Sequence, residues 1–184
     1  MVLTKTPICN FGEKPYSFKL KGVDEKVYEL DDCFGQKGAV IMFICNHCPY
    51  VKAILPDIVK DTNELKKIGI NAIAIMSNDT KNYPDDSFSK MKEFSKKHKF
   101  NFPYVIDETQ EIAKKYGAVC TPDFFGYNVK RELQYRGRIR ELKNLKPVVA
   151  GESDLFKAMK IISQTGKGPE NQIPSMGCNI KWYS

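Results

Sequence analysis

The sequence lacks any apolar run of about 18 residues, the minimum length expected of a membrane-spanning helix. Its first sixteen residues also lack the apolar segment that a secretory signal peptide requires. We therefore expect no membrane association and a cytoplasmic location. With 184 residues, of which 42% are hydrophobic and 28% charged, the chain has the length and composition of one globular domain.

Acidic residues are in the minority: 22 Asp and Glu oppose 29 Lys and Arg, which gives a formal net charge of +7. Much of the excess lies in residues 129–147, where Tyr135 is the one aromatic residue. A nucleic-acid-binding surface usually combines a basic patch with a recognised motif or several aromatic side chains. We therefore predict no nucleic-acid partner and interpret this segment as a solvated pair of strands. The alternative is a basic rim that attracts anionic substrates.

Metal-binding patterns are also scarce, because the chain has two histidines and no second CxxC pair. Structural zinc sites normally use four ligands, often as two close pairs. One CxxC pair is present, Cys45 and Cys48, with His47 between them. Structural disulfides are rare in a reducing cytosol, so we assign Cys9 and Cys33 structural roles as thiols. We predict no metal and no other cofactor.

Strand-like and helix-like segments alternate along the chain. A hairpin is predicted within residues 16–32, buried strands over 39–46, 70–79 and 102–108, and helices over 49–69, 85–99, 109–116 and 154–163. Pro56 should kink or interrupt the first helix. Two antiparallel strands are predicted from residue 123 through the basic segment. This order predicts an α/β fold whose mixed sheet carries helices on both faces.

The CxxC pair lies where a buried strand is predicted to turn into a helix. Unpaired backbone N–H groups and the helix dipole stabilise negative charge at that end of a helix. The thiolate is the nucleophilic form of cysteine, and His47 adds positive charge nearby. We therefore predict a redox pair in which Cys45 is unusually acidic and attacks, while Cys48 resolves. A metal-binding or adaptor module that uses Cys45, His47 and Cys48 is the non-catalytic alternative.

A turn is predicted at Thr121–Pro122, ahead of an apolar strand. The order strand–CxxC–helix, a helix ending at Tyr116 and then Thr-Pro before a strand resembles the thioredoxin fold. The resemblance covers about residues 15–165. It implies that the peptide bond before Pro122 is cis and that its loop packs against the CxxC pair.

Longer strings resemble a peroxiredoxin-like subgroup of the alkyl hydroperoxide reductase/thiol-specific antioxidant superfamily: FICNHCPYVKAI, NFPYVIDETQEIAKKYGAVCTPDFF, YRGRI and PSMGCNIKW. The helix inserted between the central strands, within 85–99, also fits that superfamily. Two peroxiredoxin features are missing, because Ile41 and Cys45 occupy the Pro and Thr positions of the PxxxTxxC motif and no Arg lies near Thr121. Ala39 occupies the position where thioredoxins bury an acidic residue. These departures argue against strong peroxidase activity.

The C-terminal residues 166–184 form a polar, glycine-containing tail with a few apolar anchors. We predict a thioredoxin-like domain at 1–165 with this tail docked on it. The tail lies either over the active-site face or elsewhere for stability alone. Cys178 within it, and Cys120 beside the predicted turn, are candidates for additional redox thiols.

The sequence thus predicts a thiol-disulfide oxidoreductase that uses the Cys45–Cys48 pair. His47, Thr121 and Pro122 complete the predicted site. The predicted substrate is a protein or small-molecule disulfide, or a peroxide, and the electron donor is a thiol reductant system. A peroxidase of the same fold in which Cys48 reacts first is the closest alternative.

Overall fold

The computed structural model describes residues 3–184. Within this range the strands are β1 (Leu3–Lys5), β2 (Lys19–Gly22), β3 (Val27–Glu29), β4 (Gly38–Phe43), β5 (Ile70–Met76), β6 (Tyr104–Ile106), β7 (Cys120–Thr121), β8 (Asp123–Tyr127), β9 (Leu133–Arg136), β10 (Leu142–Lys143), β11 (Lys146–Pro147) and β12 (Met176–Asn179). The α-helices are α1 (Pro49–Lys67), α2 (Phe88–Lys97), α3 (Glu111–Tyr116) and α4 (Asp154–Thr165). Short 3₁₀ turns cover Leu30–Cys33 and Pro84–Asp86.

A seven-stranded mixed sheet forms the centre of the protein, in the order β3-β2-β6-β5-β4-β8-β9. Strands β4, β5 and β6 are parallel to their neighbours in this group, and the flanking pairs are antiparallel. This arrangement confirms the predicted α/β mixed sheet and its N-terminal hairpin, β2–β3. The predicted inserted helix is α2, which lies between β5 and β6 in the chain.

Strand β4 is buried on both faces, which explains why its sequence is a continuous apolar run. Its residues alternate between two cores. Val40 and Met42 face the core that α1, α2 and α4 cover, whereas Ile41 and Phe43 face the core that contains α3. Helices therefore cover both faces of the sheet, as predicted.

Helix α1 continues unbroken through Pro56, so the predicted interruption at this residue does not occur. Pro56 and Lys52, one turn earlier, both lie on the exposed side of the helix. The Lys52 carbonyl that loses its helical N–H partner therefore faces water, which lessens the cost of the proline. No helix within residues 3–184 combines the length and the apolar character needed to cross a membrane.

A second, three-stranded sheet was not predicted; its order is β1-β12-β7 and both of its pairings are antiparallel. In this sheet Cys178 lies opposite Thr121, and Asn179 lies opposite Cys120. The C-terminal segment is thereby joined to the strand directly before Pro122. Pairings of two or three residues are too short to leave a recognisable pattern in the sequence.

The basic segment 129–147 forms β9, β10 and β11, which agrees with its interpretation as strands. Four of its arginines form ion pairs with aspartates elsewhere in the chain, namely Arg131–Asp31, Arg136–Asp123, Arg138–Asp154 and Arg140–Asp57. These pairs compensate a large part of the local positive charge. The segment is therefore held by structural contacts more than it is available for long-range attraction of anions.

The central position of β4 generates a stability prediction. Replacing Ile41, which is 0% exposed, with Ala removes buried methyl groups and leaves a cavity. We expect the free energy of unfolding to fall by about 2–5 kcal/mol in urea denaturation. The same change at Ile161, which is 43% exposed on α4, should cost less than about 1 kcal/mol. Equal losses at both positions would contradict this description of the core.

Candidate active site

The two cysteines of the CxxC pair lie between the end of β4 and the start of α1. Cys48 is the N-cap residue of α1, and Pro49 is the first residue of the helix. Cys45 precedes the helix. Both side chains are buried, with exposures of 1% for Cys45 and 0% for Cys48. The predicted placement at a strand-to-helix junction is therefore observed, but the pair is enclosed by other segments.

Thr121 contacts both sulfurs of the pair. Its Oγ1 lies 3.4 Å from the Cys45 Sγ, and its carbonyl oxygen lies 3.3 Å from the Cys48 Sγ. The Thr121–Pro122 peptide bond is cis. The structure thus brings Cys45, Cys48, Thr121 and Pro122 together, in the arrangement that the family resemblance implies.

The carboxylate of Asp86 holds the turn between the two cysteines. Its Oδ1 accepts hydrogen bonds from the backbone N–H groups of Asn46, at 2.8 Å, and His47, at 3.3 Å. Its Oδ2 lies 2.6 Å from the Nδ1 of His47 and accepts a hydrogen bond from the Asn78 side-chain amide at 2.8 Å. Asp86 is fully buried, so this carboxylate depends on protein donors alone.

Asp86 and His47 form an ion pair that changes the pKa of both groups. The hydrogen bond with Asp86 raises the pKa of His47 more than burial lowers it. Burial alone would raise the pKa of Asp86, but hydrogen bonds from His47 and Asn78 outweigh burial, and the pKa is lowered. The Nδ1 of the resulting imidazolium lies 3.9 Å from the Cys45 Sγ. An acid–base group therefore lies beside the cysteine pair.

The sequence identified His47 but missed Asp86, which is 39 residues further along the chain. Asp86 reaches the site because the segment between β5 and β6 folds back over the CxxC turn. The local signal in the sequence is weak: Asp85 and Asp86 precede a predicted helix, where acidic residues are common. A long-range contact of this kind is not encoded in residue spacing.

The groups that stabilise a thiolate converge on Cys48. A hydrogen bond from the Cys45 thiol, with further ones from the Cys178 thiol and the Val51 backbone N–H, outweighs burial and lowers the pKa of Cys48 to about 5. The Val51 donor belongs to the first turn of α1, where backbone N–H groups have no helical partner. At neutral pH, Cys48 is therefore the ionised member of the pair.

Cys45 has the opposite environment. Burial, the hydrogen bond that it donates to Cys48 and the negative charge of Asp86 raise the pKa of Cys45 well above that of an ordinary cysteine. The prediction of an unusually acidic Cys45 is therefore wrong. The helix begins one residue after Cys48, so its free donors serve Cys48, and the positive charge of His47 is balanced by Asp86.

One of the two candidate additional thiols joins the cluster. The Sγ of Cys178 lies 2.9 Å from the Sγ of Cys48. Cys120 is buried on β7, and burial raises its pKa to about 12. Over residues 3–184, no hydrogen bond joins the Cys120 thiol to Cys45, Cys48 or Cys178.

Three atoms near the site have the chemistry of metal ligands: the Cys45 Sγ, a His47 ring nitrogen and an Asp86 oxygen, all within 4.8 Å of one another. This set contains Asp86 in place of the Cys48 of the predicted metal-binding alternative. Structural zinc sites normally have four ligands. An ion at this position would also have to replace the 2.6 Å hydrogen bond between His47 and Asp86.

A cavity of about 270 Å³ lies next to the site, against Pro122 and Tyr50 at the start of α1. Its walls combine apolar side chains with basic groups, including Ile139, Ile173, Met176, Lys5, Arg138 and Arg140. Because Pro122 follows Thr121, this cavity offers room for a group bound to a sulfur of the pair.

Both the sequence and the fold of this chain are similar to those of known proteins. A family model described as the AhpC/TSA family matches residues 11–141. The structure is similar to that of an uncharacterized conserved protein from Geobacillus kaustophilus, with 36% identity, a TM-score of 0.94 and coverage of 100% of this chain and 97% of that chain. It also resembles the exposed lipoprotein thioredoxin Etrx1 of Streptococcus pneumoniae strain TIGR4, with 22% identity, a TM-score of 0.59 and coverage of 79% and 98%.

Among curated proteins, thiol-disulfide oxidoreductase ResA of Bacillus thuringiensis subsp. konkukian (strain 97-27) is 27% identical over 122 residues. The match covers 66% of this chain and 66% of that protein. The chain therefore spans just under two thirds of the length of this curated relative. The comparisons confirm the thioredoxin-like fold that the sequence predicts.

Replacing Cys45 with Ala should raise the pKa of Cys48, because the change removes the largest group that lowers it. A hydrogen bond to a charged group contributes about 1.5–3 kcal/mol, which corresponds to an upward move of about 1–2 pH units. Thiolate absorbance at 240 nm, followed from pH 3 to 8, measures the midpoint. Cys120→Ala is the matched control and should leave it unchanged. An unmoved midpoint in Cys45→Ala would show that Cys45 does not stabilise the thiolate.

Replacing Asp86 with Asn should lower the pKa of His47, since the carboxylate is the group that raises it. The chain has only two histidines, so proton NMR of the ring signals resolves the effect. His98 serves as an internal control and should titrate as in the unmodified protein. A shift of both histidines, or of neither, would contradict the assignment of the ion pair.

The same pair should make stability depend on pH. The pKa of His47 is raised in the folded protein, so its contribution is complete below about pH 6.5 and is lost as pH rises through the folded pKa. The pKa of Asp86 is lowered, so its contribution is lost as pH falls below about 4. The difference in unfolding free energy between the unmodified protein and Asp86→Asn should therefore be largest between about pH 4 and 6.5. Denaturation at pH 3, 5 and 9 tests this order.

Proposed function

Since the chain belongs to the AhpC/TSA family, we propose that it is a thiol-disulfide oxidoreductase that works through Cys45 and Cys48. The observation that carries the proposal is the contact of both sulfurs, those of Cys45 and Cys48, with Thr121 ahead of the cis bond to Pro122. The hydrogen bond with Cys45 also lowers the pKa of Cys48. Reversible disulfide formation needs a thiolate, a second sulfur within reach and a leaving group of low pKa. The similarity to a curated thiol-disulfide oxidoreductase supports the same activity.

In the proposed reaction, the reduced pair passes two electrons to a substrate disulfide. The Cys48 thiolate attacks one substrate sulfur, which forms a mixed disulfide and releases the other sulfur as a thiolate. Cys45 then attacks the Cys48 sulfur. This step closes the Cys45–Cys48 disulfide and releases the second substrate thiolate. Cys48 attacks first because its pKa is lowered, whereas that of Cys45 is raised. The sequence predicts the opposite order, with Cys45 as the attacking residue.

His47 has a role in moving the proton of Cys45. As an imidazolium, His47 donates a proton to the first thiolate that leaves, and it then takes the proton from the Cys45 thiol 3.9 Å away. Asp86 keeps the ring in place and stabilises its positive charge. One proton is thus transferred from Cys45 to the substrate, and His47 returns to its starting state.

The structure favours a disulfide over a peroxide as the substrate. Two arginines follow Pro122 closely in the sequence: Arg131 is paired with Asp31, and Arg136 is held by Asp123 at 2.8 Å in a buried ion pair. Neither arginine is among the groups that lower the pKa of Cys48. The cavity beside Pro122 provides space for part of a protein or small-molecule disulfide. A thiol reductant system regenerates the dithiol, and the reaction needs no dissociable cofactor.

The decisive experiment compares turnover with a protein disulfide, insulin, and with hydrogen peroxide in one preparation. We expect faster turnover with the disulfide. Cys48→Ser should reduce it by about 1,000-fold or more, because the nucleophile is lost. Cys45→Ser/Cys178→Ser, which removes both sulfurs next to Cys48, should accumulate a mixed disulfide at Cys48, which mass mapping of peptides detects.

Cys33→Ser, a buried cysteine of the other core, is the matched control and should keep full turnover. A mixed disulfide at Cys45 in Cys48→Ser would restore the order predicted from the sequence. Preferential turnover of peroxide would favour the peroxidase alternative. Full activity of both variants would exclude the proposed pair.

A further inference from the structure

A third sulfur lies against the ionised cysteine. The Cys178 Sγ is 2.9 Å from the Cys48 Sγ, and Cys178 is only 1% exposed. The two sulfurs are within hydrogen-bond distance, and the contacts of Cys48 with the side chains of Cys45 and Cys178 both lower the pKa of Cys48. Cys48 therefore lies between two sulfurs within contact distance, whereas the proposed reaction uses only one of them.

Cys178 is held in this position by the second sheet. Strand β12 pairs with β1 on one side and with β7 on the other, and Cys178 is opposite Thr121. Gly177 allows the close approach of the two strands, since a Cβ there would collide with the Thr121 carbonyl oxygen. The Ser175 hydroxyl donates a hydrogen bond to the Pro122 carbonyl at 2.7 Å. The sulfur is thus placed by the same residues that flank the cysteine pair.

The segment after β12 is fixed to the active-site turn as well. The Lys181 backbone N–H donates to the Asn78 side-chain oxygen at 2.9 Å, and the Asp79 N–H donates to the Lys181 carbonyl at 2.7 Å. Asn78 is also a donor to Asp86. Contacts before and after Cys178 in the chain therefore hold its sulfur next to that of Cys48.

We propose that Cys178 is a third redox residue, which forms a disulfide with Cys48 as an alternative to the Cys45–Cys48 disulfide. The inference rests on the proposed function, because that reaction supplies the first disulfide. Cys178 on β12 would then take part in the reaction through the Cys48–Cys178 disulfide.

The proposed step is a thiol–disulfide exchange within the protein. Once Cys45–Cys48 has formed, the Cys178 sulfur attacks the Cys48 sulfur; the Cys48–Cys178 bond forms and the Cys45–Cys48 bond breaks. Cys178 gives up its proton, and Cys45 takes one up as it leaves. The number of disulfides is unchanged, so the step requires no external oxidant or reductant.

The exchange returns Cys45 to the thiol form while the protein remains oxidised. In either state the third sulfur of the cluster remains a thiol next to the disulfide, so this thiol can reopen the bond by exchange. The second disulfide also links β12 covalently to the start of α1. Oxidation of the site and attachment of the C-terminal segment would therefore occur together.

The test uses the full-length protein and oxidised glutathione, with acid quenching and peptide mass mapping. In the unmodified protein, the Cys45–Cys48 linkage should appear first and the Cys48–Cys178 linkage later. In Cys45→Ser, Cys48–Cys178 should be the main product. Cys45→Ser/Cys178→Ser should instead accumulate glutathione on Cys48. Cys45→Ser/Cys120→Ser is the matched control and should behave as Cys45→Ser does.

Accumulation of glutathione on Cys48 in Cys45→Ser, without the Cys48–Cys178 linkage, would overturn the proposal. Circular dichroism of each variant establishes that the fold is retained. The same experiment distinguishes a wrong assignment of Cys178 from a failure of the proposed oxidoreductase function. If only the third residue is misassigned, the unmodified protein still forms Cys45–Cys48 and still reduces insulin. If the proposed function fails, both the first linkage and the turnover are absent.

Discussion

The geometry of the site depends on one buried carboxylate, that of Asp86. A carboxylate removed from water requires several hydrogen-bond donors, and Asp86 takes three of its four from two adjacent residues of the CxxC turn, Asn46 and His47. The need of the carboxylate for donors therefore sets the path of the backbone between the cysteines. The fourth donor, Asn78, connects the same carboxylate to the end of β5 and, through Lys181, to the C-terminal segment. Three parts of the chain that are distant in sequence thus meet at a single charge.

This arrangement explains why the two cysteines differ. The turn held by Asp86 keeps Cys45 ahead of the helix, near negative charge, and leaves Cys48 at the N-cap, near unpaired backbone donors. Burial raises the pKa of both thiols, so the local donors decide which one ionises. Cys45 becomes a donor to Cys48, and the two thiols titrate as a linked pair. The difference lies in the direction of their shared hydrogen bond, which the residue types alone do not reveal.

The sequence predicted the parts of the molecule that depend on local patterns. The continuous apolar runs at β4 and β5 and the helical spacing after Cys48 were sufficient for the central sheet and its helices. Together with the family resemblance, the CxxC pair and the Thr121–Pro122 turn gave five residues of the site: Cys45, His47, Cys48, Thr121 and Pro122. The sequence did not predict Asp86, because its role depends on a contact across 39 residues. It did not predict β12 either, because the strand has four residues and gains its stability from β1 and β7. The assignment of the acidic cysteine failed for a related reason: spacing locates the start of a helix to within a residue or two, whereas the pKa depends on which residue is the N-cap.

The cluster of sulfurs explains how the site works without two peroxiredoxin features, the Pro and Thr of the PxxxTxxC motif and an arginine near Thr121. A buried thiolate must be stabilised, and a nearby arginine is one means of doing so. In this protein the stabilisation comes instead from two cysteine side chains and the backbone of Val51 and Cys178, all neutral groups. Neutral donors lower the pKa of Cys48 without adding a permanent positive charge, and they leave Arg136 to compensate Asp123. The sulfur at the Thr position of the peroxiredoxin motif is therefore more than a substitution, because Cys45 donates a hydrogen bond to the thiolate and can also form a covalent bond with it. A site built from sulfur donors favours exchange between sulfurs, since each donor that stabilises the thiolate is also within reach of it as a disulfide partner.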